Sequence, residues 1–134
     1  MTELNYIDLF AGAGGLSEGF IREGFNPIAH VEMNKDACDT LKTRAAHHWL
    51  KHNKKNGIYI DYLKSENKNK ETLWNNVPKN IISSVIHKEI SESTLTKIFE
   101  TIDAELNGKQ VDLIIGGPPC QAYSIVGRAR KDMG

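Results

Sequence analysis

Cysteine is scarce in this 134-residue sequence, where only Cys38 and Cys120 occur, far apart. Such sparse cysteine excludes a disulfide framework and fits a reducing compartment, so each thiol has to be judged by itself. No run of apolar residues approaches the roughly 20 that a membrane-spanning helix needs. The first ten residues, MTELNYIDLF, lack the basic and apolar regions of a secretory signal. We therefore predict a cytoplasmic protein without a membrane span.

Net charge is also lacking, since 17 lysines and arginines balance 17 aspartates and glutamates. The chain as a whole therefore carries no electrostatic signature of nucleic-acid binding, and any contact with a polyanion must be local. Hydrophobic residues make up 40% of the chain, which is typical of a soluble globular protein. The length and the composition together predict one domain with its own core.

Strand-like and helix-like segments alternate along the chain. NYIDLF and NPIAHVEMN have strand character, and each is followed by apolar residues at helical spacing. Residues 81–90 suit a third strand, VDLII a fourth and fully buried one, and residues 91–106 an amphipathic helix. The residues predicted to face inward from this helix are Leu95, Ile98, Phe99 and Ile102. The alternation predicts an α/β, Rossmann-like fold with a partial parallel sheet in the order 3-2-1-4, flanked by helices.

Residues 51–80 form a polar region that is rich in asparagine and lysine, with one apolar alternation, IYIDYL. We interpret this region as an insertion in the domain. His47, His48 and His52 lie near its start and include a pair at i, i+4. No carboxylate or cysteine pattern completes a zinc site around them, so we assign no metal to the chain.

The segment DLFAGAGGLSEGF places three glycines where the first predicted strand ends and a helix begins. Gly12, Gly14 and Gly15 allow a sharp turn, let a ligand approach the backbone and present amides at the helix N-terminus. A nucleotide-like ligand is therefore predicted. A dinucleotide fingerprint would need its third glycine at position 17, where Ser17 stands, and this disfavours an NAD-dependent dehydrogenase.

Glu32 ends the second predicted strand, about 20 residues after Gly12. An acidic side chain at this place can accept hydrogen bonds from both hydroxyls of a ribose. The alternative is an ordinary exposed glutamate at a strand end. The spacing from the glycine turn favours the ribose role.

The segment VDLIIGGPPCQAYS gives Cys120 a different setting from that of Cys38. Two glycines and two prolines precede the thiol, so the backbone leaving the fourth strand first bends and is then fixed in φ. Because the C-terminal ends of strands one and four lie side by side, Cys120 is expected near the glycine turn. We predict Cys120 to be a nucleophile, and Cys38, within a helix, to be a buried apolar residue.

Three segments, DLFAGAGGLSEGF, VEMN and GGPPCQAYS, resemble the first, second and fourth motifs of the cytosine-C5 DNA methyltransferases, in the order of that family. The resemblance implies the fold of S-adenosylmethionine-dependent methyltransferases, with residues 1–134 as the N-terminal part of the catalytic domain. It also implies S-adenosyl-L-methionine as the cofactor and double-stranded DNA as the substrate.

Individual residues take roles from the same resemblance. Those assigned to the cofactor are Phe10, Ala11, Gly12, Ala13, Gly14, Gly15, Glu32, Met33, Glu89, Ile90 and Pro119. Glu89 and Ile90 stand for the third motif, which contacts adenine, and Asp61 is a rival for its acidic residue. Those assigned to the loop that contacts the phosphates of the substrate are Gln121, Ser124, Arg128 and Arg130.

The mechanism implied by the resemblance makes Cys120 the catalytic residue. Its thiolate adds to C6 of a cytosine that has been flipped out of the duplex. The resulting enamine takes the methyl group at C5, and proton loss and elimination then release the enzyme.

The later parts of the family, including a Glu-Asn-Val segment and a target-recognition region, have no match before Gly134. We expect a fragment of a longer enzyme that is inactive alone. A subunit completed by a C-terminal polypeptide and a degraded remnant are the alternatives. A tRNA cytosine methyltransferase and a non-catalytic S-adenosylmethionine-binding module are the alternative functions.

Overall fold

Four parallel strands form a sheet with the order β3-β2-β1-β4 in the computed structural model, which describes residues 3–117. The strands are β1 (Asn5–Leu9), β2 (Asn26–Glu32), β3 (Val85–His87) and β4 (Leu113–Gly116). The helices are α1 (Gly15–Arg22), α2 (Lys35–His52), α3 (Asn56–Lys64), α4 (Lys70–Trp74), α5 (Lys79–Ser83) and α6 (Leu95–Leu106). The predicted strand order and fold class are confirmed.

The main core lies where α6 packs against the sheet. Ile7 and Val31 from the central strands are buried with Ile98 and Ile102 of α6. Each such aliphatic side chain contributes roughly 1.5–3 kcal/mol by leaving water. Phe99, which was also predicted to face inward, is 58% exposed, so that prediction is wrong. It follows Ile98 by one residue, and a helix turns by about 100° per residue, which carries its side chain away from the core.

β4 is an edge strand of the described sheet, and the prediction of a fully buried strand is wrong. It pairs with β1 alone among strands β1 to β4. Ile115 is buried on one face, whereas Ile114 on the other face is 61% exposed. An apolar run predicts a strand covered on both faces, but residues 3–117 cover only one face of β4.

Helices occupy most of the region that the sequence marked as a polar insertion. A cluster of its own forms there, with Leu50 from α2 packed against Leu73 and Val77. Asparagine supports this structure as a helix cap, since Asn69 Oδ1 accepts a hydrogen bond from the Thr72 amide at 3.2 Å. The boundaries of an insertion stay a prediction.

The third strand and the last helix are both shorter than predicted. α5 and not a strand covers Ile81 and Ile82, whose side chains pack against the cluster around Leu50. Packing outweighs their β-branched character, because strand propensity depends on context. α6 begins at Leu95 and not at residue 91.

Candidate cofactor and catalytic site

The turn between β1 and α1 departs from ordinary backbone geometry at three positions. Phe10, Gly12 and Gly14 have φ angles of 55°, 57° and 94°. Left-handed backbone costs a residue with a side chain about 1–2 kcal/mol, so surrounding structure must hold Phe10 in place. Part of that support is the Ala11 amide, which donates to the Val31 carbonyl at 3.0 Å. Strain of this kind at a strand end is typical of functional sites.

The glycines of the turn have two different roles. A Cβ at Gly12 or Gly15 would meet nothing within 4 Å, so the backbone there borders open space. A Cβ at Gly14 would lie only 2.9 Å from Leu41 Cδ2. Gly14 therefore lets the start of α1 approach α2, while Gly12 and Gly15 leave backbone accessible to a ligand. Ala13, which lies between Gly12 and Gly14, is exposed, and Ala11, which precedes Gly12, is buried.

Glu32 joins this turn to the end of β2. Its Oε1 accepts a hydrogen bond from the Gly12 amide at 2.9 Å, and its Oε2 accepts one from the Asn34 amide at 2.8 Å. An ionised carboxylate offers about four acceptor positions, so each oxygen keeps capacity for a further donor. The half-buried carboxylate can therefore bind two hydroxyl groups as well as the backbone.

Apolar side chains border the same strand ends. Phe10 is 37% exposed at the end of β1, and Met33 is 60% exposed just after β2. His87 Nε2 lies 2.8 Å from the Met33 carbonyl oxygen, which ties the end of β3 to that position. A small-molecule site is usually lined by apolar side chains together with a few polar groups that point toward the ligand.

The residues assigned to the third motif lie after β3. Glu89 is exposed, and Ile90 packs against the main core. The rival Asp61 lies within α3, a helix that contacts α2 and α4, and so does not follow a strand. Of the two acidic residues, Glu89 alone has the position after a strand end that the motif requires.

The residues of the predicted catalytic segment lie outside the described part of the chain. They are Pro119, Cys120, Gln121, Ser124, Arg128 and Arg130. The structure does describe the strand that precedes them in the sequence. Gly116 pairs with Leu9, the residue before Phe10. The end of β4 therefore lies beside the glycine turn, four residues before Cys120.

Residues 4–66 and 54–134 match the profile of the family C-5 cytosine-specific DNA methylase. The chain belongs to this family. It is 39% identical over 143 residues to the Type II methyltransferase M.Bpa9945I of Bacillus paralicheniformis, a match that covers 92% of this chain and 32% of that protein.

Two other Type II methyltransferases are each 30% identical to the chain. M1.HphI of Haemophilus parahaemolyticus matches 93% of the chain and 23% of its own length, and M.AquIA of Picosynechococcus matches 94% and 36%. The chain thus spans about a quarter to a third of the length of these curated relatives. No solved structure gives a significant match.

Cys38 of this methylase chain has the structural role that the sequence predicts. It is 1% exposed, and its Sγ–H donates to the Glu32 carbonyl at 3.3 Å. Burial raises the pKa of the Cys38 thiol, and the Glu32 carboxylate raises it further. A thiol held protonated is a poor nucleophile, so Cys38 is unsuited to the chemistry expected of Cys120.

Sequence reasoning missed two buried polar pairs behind the turn. Tyr6 Oη lies 2.5 Å from Ser17 Oγ, and both residues are at most 2% exposed. This bond explains why serine suits position 17, since its hydroxyl joins α1 to β1. His30 Nδ1 lies 3.4 Å from Asp8 Oδ2 across β1 and β2. Polar residues inside two segments with strand character were the available signal for the pair of Asp8 and His30.

Glu18 connects α1 with α2 and is the partner of His48, one of the three histidines considered for a metal site. Its Oε2 lies 2.9 Å from His48 Nε2 and 3.5 Å from Arg44 Nη1. Burial acts to raise the pKa of Glu18, but the bond with His48 and the charges of Arg44 and Arg22 hold the pKa below its ordinary value. His47 instead stacks on Tyr59, with the ring centroids 4.0 Å apart.

Within residues 3–117, no group of three or more histidine, cysteine, aspartate or glutamate side chains is arranged to hold a metal ion. Nor does that part of the chain contain a helix long and apolar enough to cross a membrane.

Proposed function

We propose that this chain is the cofactor-binding and nucleophile-bearing part of a DNA (cytosine-5-)-methyltransferase of a restriction–modification system. The observation that carries the proposal is the Glu32 carboxylate, bonded to the Gly12 amide beside the open backbone at Gly12 and Gly15. The family of the chain and the Type II methyltransferase names of its relatives support DNA as the substrate.

The residues at the strand ends fit S-adenosylmethionine by their chemistry. Glu32 has free acceptor positions for the two ribose hydroxyls, and Phe10 and Met33 offer apolar surface to adenine. The turn amides at the start of α1 suit the carboxylate of the methionine part, since helix N-termini favour anions. When bound, the cofactor supplies an electrophilic methyl group on its sulfonium sulfur.

Cys120 supplies the nucleophile in this proposal. Its thiolate forms a bond to C6 of cytosine, and the electrons of the C5–C6 double bond make C5 a nucleophile. C5 would take the methyl group, and the electron pair of the broken sulfur–methyl bond would stay on the sulfur of the leaving cofactor product. After C5 has gained the methyl group, it loses its proton to solvent. The bond between the Cys120 sulfur and C6 then breaks. The double bond is thereby restored, and the thiolate is regenerated.

The cofactor role is tested by titrating S-adenosylmethionine into the 134-residue chain in a calorimeter. Glu32→Gln should weaken binding roughly ten- to a hundredfold, because hydrogen bonds to a charged acceptor contribute about 1.5–3 kcal/mol. Glu66→Gln, at an exposed position, is the control and should bind as the wild type does. A folded chain that binds no cofactor, or a Glu32→Gln variant that binds as well as the control, would contradict the assignment.

The nucleophile role is tested in the full reading frame that contains these residues. A duplex with 5-fluorocytosine at target positions blocks the loss of the C5 substituent, so the adduct should persist and appear by mass spectrometry. Cys120→Ala should abolish the adduct, and Cys38→Ala should keep it. An adduct with 5-fluorocytosine tRNA and none with the duplex would favour the tRNA enzyme, and no adduct with either would favour the binding module.

A further inference from the structure

A cavity of about 240 Å³ lies beside the glycine turn, between α1, β2 and α2. Its wall includes Gly14 and side chains from α1, β2 and α2. The apolar residues that line it are Ile21, Pro27, Leu41, Ala45, Trp49 and Ile81. An apolar cavity of roughly 150 Å³ is large enough to bind benzene, so this one can hold a substituted aromatic ring.

One wall of the cavity carries a buried polar group. His30 lines it and is 5% exposed, with Nδ1 facing the carboxylate of Asp8, which is 1% exposed. Each ring nitrogen of an imidazole can form a hydrogen bond, as donor or as acceptor according to the tautomer. Among residues 3–117, Asp8 is the only hydrogen-bond partner of the His30 ring. Nε2 is therefore free to form a hydrogen bond with a ligand at the cavity wall.

The charged residues around the cavity are paired with one another. Glu18 Oε2 lies 3.5 Å from Arg44 Nη1 and 2.9 Å from His48 Nε2, and all three residues line the cavity. A charged ligand would have to compete with these pairs for its partners. The cavity thus favours a neutral ligand with an aromatic body and one hydroxyl group.

We propose that this cavity is a binding site for a small neutral phenol. The ring packs against Trp49 and Leu41, and the hydroxyl, which can donate or accept, forms a hydrogen bond with His30 Nε2. Aromatic rings gain from stacking beyond the area that they bury, which makes Trp49 the main apolar contact. The proposal does not depend on the methyltransferase function, because none of its contacts involves the cofactor or Cys120.

Phenol itself is the probe, titrated into the wild-type chain with the histidine and tryptophan side chains observed by NMR. We expect one-to-one saturable binding that shifts the His30 imidazole nitrogens and the Trp49 indole. Toluene has the same ring size without the hydroxyl and should bind roughly two- to tenfold more weakly, as for one neutral hydrogen bond. Absence of shifts at His30 and Trp49 in the folded chain, or equal affinity for toluene, would overturn the proposal.

A cavity-filling variant provides the second measurement. Ala45→Phe adds a ring inside the cavity and should abolish phenol binding, whereas Ala104→Phe, at an exposed position of α6, should leave it unchanged. Phenol bound equally by both variants would overturn the proposal. If Ala45→Phe does not fold, the wild-type comparison of phenol with toluene decides the matter.

Discussion

The glycine turn and the helical region around α3 to α5 differ in how far their large apolar side chains are exposed. At the turn, Phe10 and Met33 are 37% and 60% exposed, and Phe10 has a strained backbone. In the helical region, Leu73 and Val77 are 2% and 7% exposed, although the surrounding sequence is among the most polar in the chain. The turn exposes its large apolar side chains, whereas the helical region buries Leu73 and Val77 and leaves only Ile60 and Leu63 of α3 exposed.

This difference separates binding surface from supporting structure. A ligand site has to keep apolar groups uncovered until the ligand arrives, and strained backbone persists only where its surroundings hold it. Supporting structure has no such requirement and can bury the side chains that form its core. Substitutions in the helical region should therefore change stability most, and substitutions at the turn should change binding most.

The largest expected effect is from truncation inside the helical region. Leu73→Ala should lower the free energy of unfolding by about 2–5 kcal/mol, because it leaves a cavity beside Leu50. Leu63→Ala, at a site that is 46% exposed, should change it by no more than about 0.5 kcal/mol. Urea unfolding followed by circular dichroism measures both. Equal losses for the two variants would mean that this cluster is not a core.

The second largest effect on the free energy of unfolding is expected at the turn, and its cause is steric. Gly14→Ala and Gly24→Ala both place a side chain at positive φ, 94° and 88°, at a cost of about 1–2 kcal/mol each. Gly14→Ala should cost about 1–3 kcal/mol more, because its Cβ meets Leu41 while a Cβ at Gly24 meets nothing within 4 Å. Thermal unfolding of the two variants gives the difference. Matching values would show that Leu41 moves aside freely.

The bond between Tyr6 and Ser17 should contribute about 1 kcal/mol, which a double-mutant cycle of Tyr6→Phe and Ser17→Ala can measure. Its removal should weaken cofactor binding only slightly, since it lies behind the turn. A coupling energy near zero would show that the two hydroxyls act independently.

Alkaline pH offers a second measurement of the same pair. Burial raises the pKa of Tyr6 from 10.0 to about 12, against the opposing effect of the Ser17 bond. The unfolded chain loses the Tyr6 proton first, so this stabilisation is complete below pH 10 and is lost as the pH rises through 12. Tyr6→Phe should flatten the fall in stability over that window. An unchanged slope would mean that Tyr6 does not govern it.

The smallest effect on stability is expected at Phe10. Phe10→Gly relieves the positive φ, whereas Phe10→Ala keeps the strain, so the glycine variant should be more stable by a few tenths to about 1 kcal/mol. Both variants should lose cofactor affinity, because both remove the ring. Parallel unfolding and calorimetric titrations separate the two effects. Unchanged affinity in both would remove Phe10 from the cofactor site.

Periodicity and spacing predicted the sheet well. The alternation of strands and helices predicted the order β3-β2-β1-β4. The spacing from Gly12 to Glu32 suggested a ribose role for Glu32, which stays a prediction, and the 2.9 Å hydrogen bond between the two residues was not foreseen. These features follow from local sequence and from the handedness of parallel crossovers. They do not require knowledge of how individual side chains meet.

The buried pair of Asp8 and His30 depends on strand register and therefore could not be predicted. The pairing of β1 with β2 shifts between Tyr6 and Ile7, and this shift sets Asp8 opposite His30. Nothing in either strand alone indicates such an irregularity. Likewise, Leu73 stands among polar residues with only Trp74 beside it, and only the fold shows that α2 covers it.

Gly116 sets a limit on how this protein can evolve. Any other amino acid would place its Cβ 2.5 Å from the Leu9 carbonyl oxygen, which belongs to the backbone and cannot rotate away as a side chain can. Every codon change that alters the residue therefore pushes apart the two strands at the edge of the glycine turn. A library covering all substitutions should recover only glycine at this position, even where selection acts on folding alone.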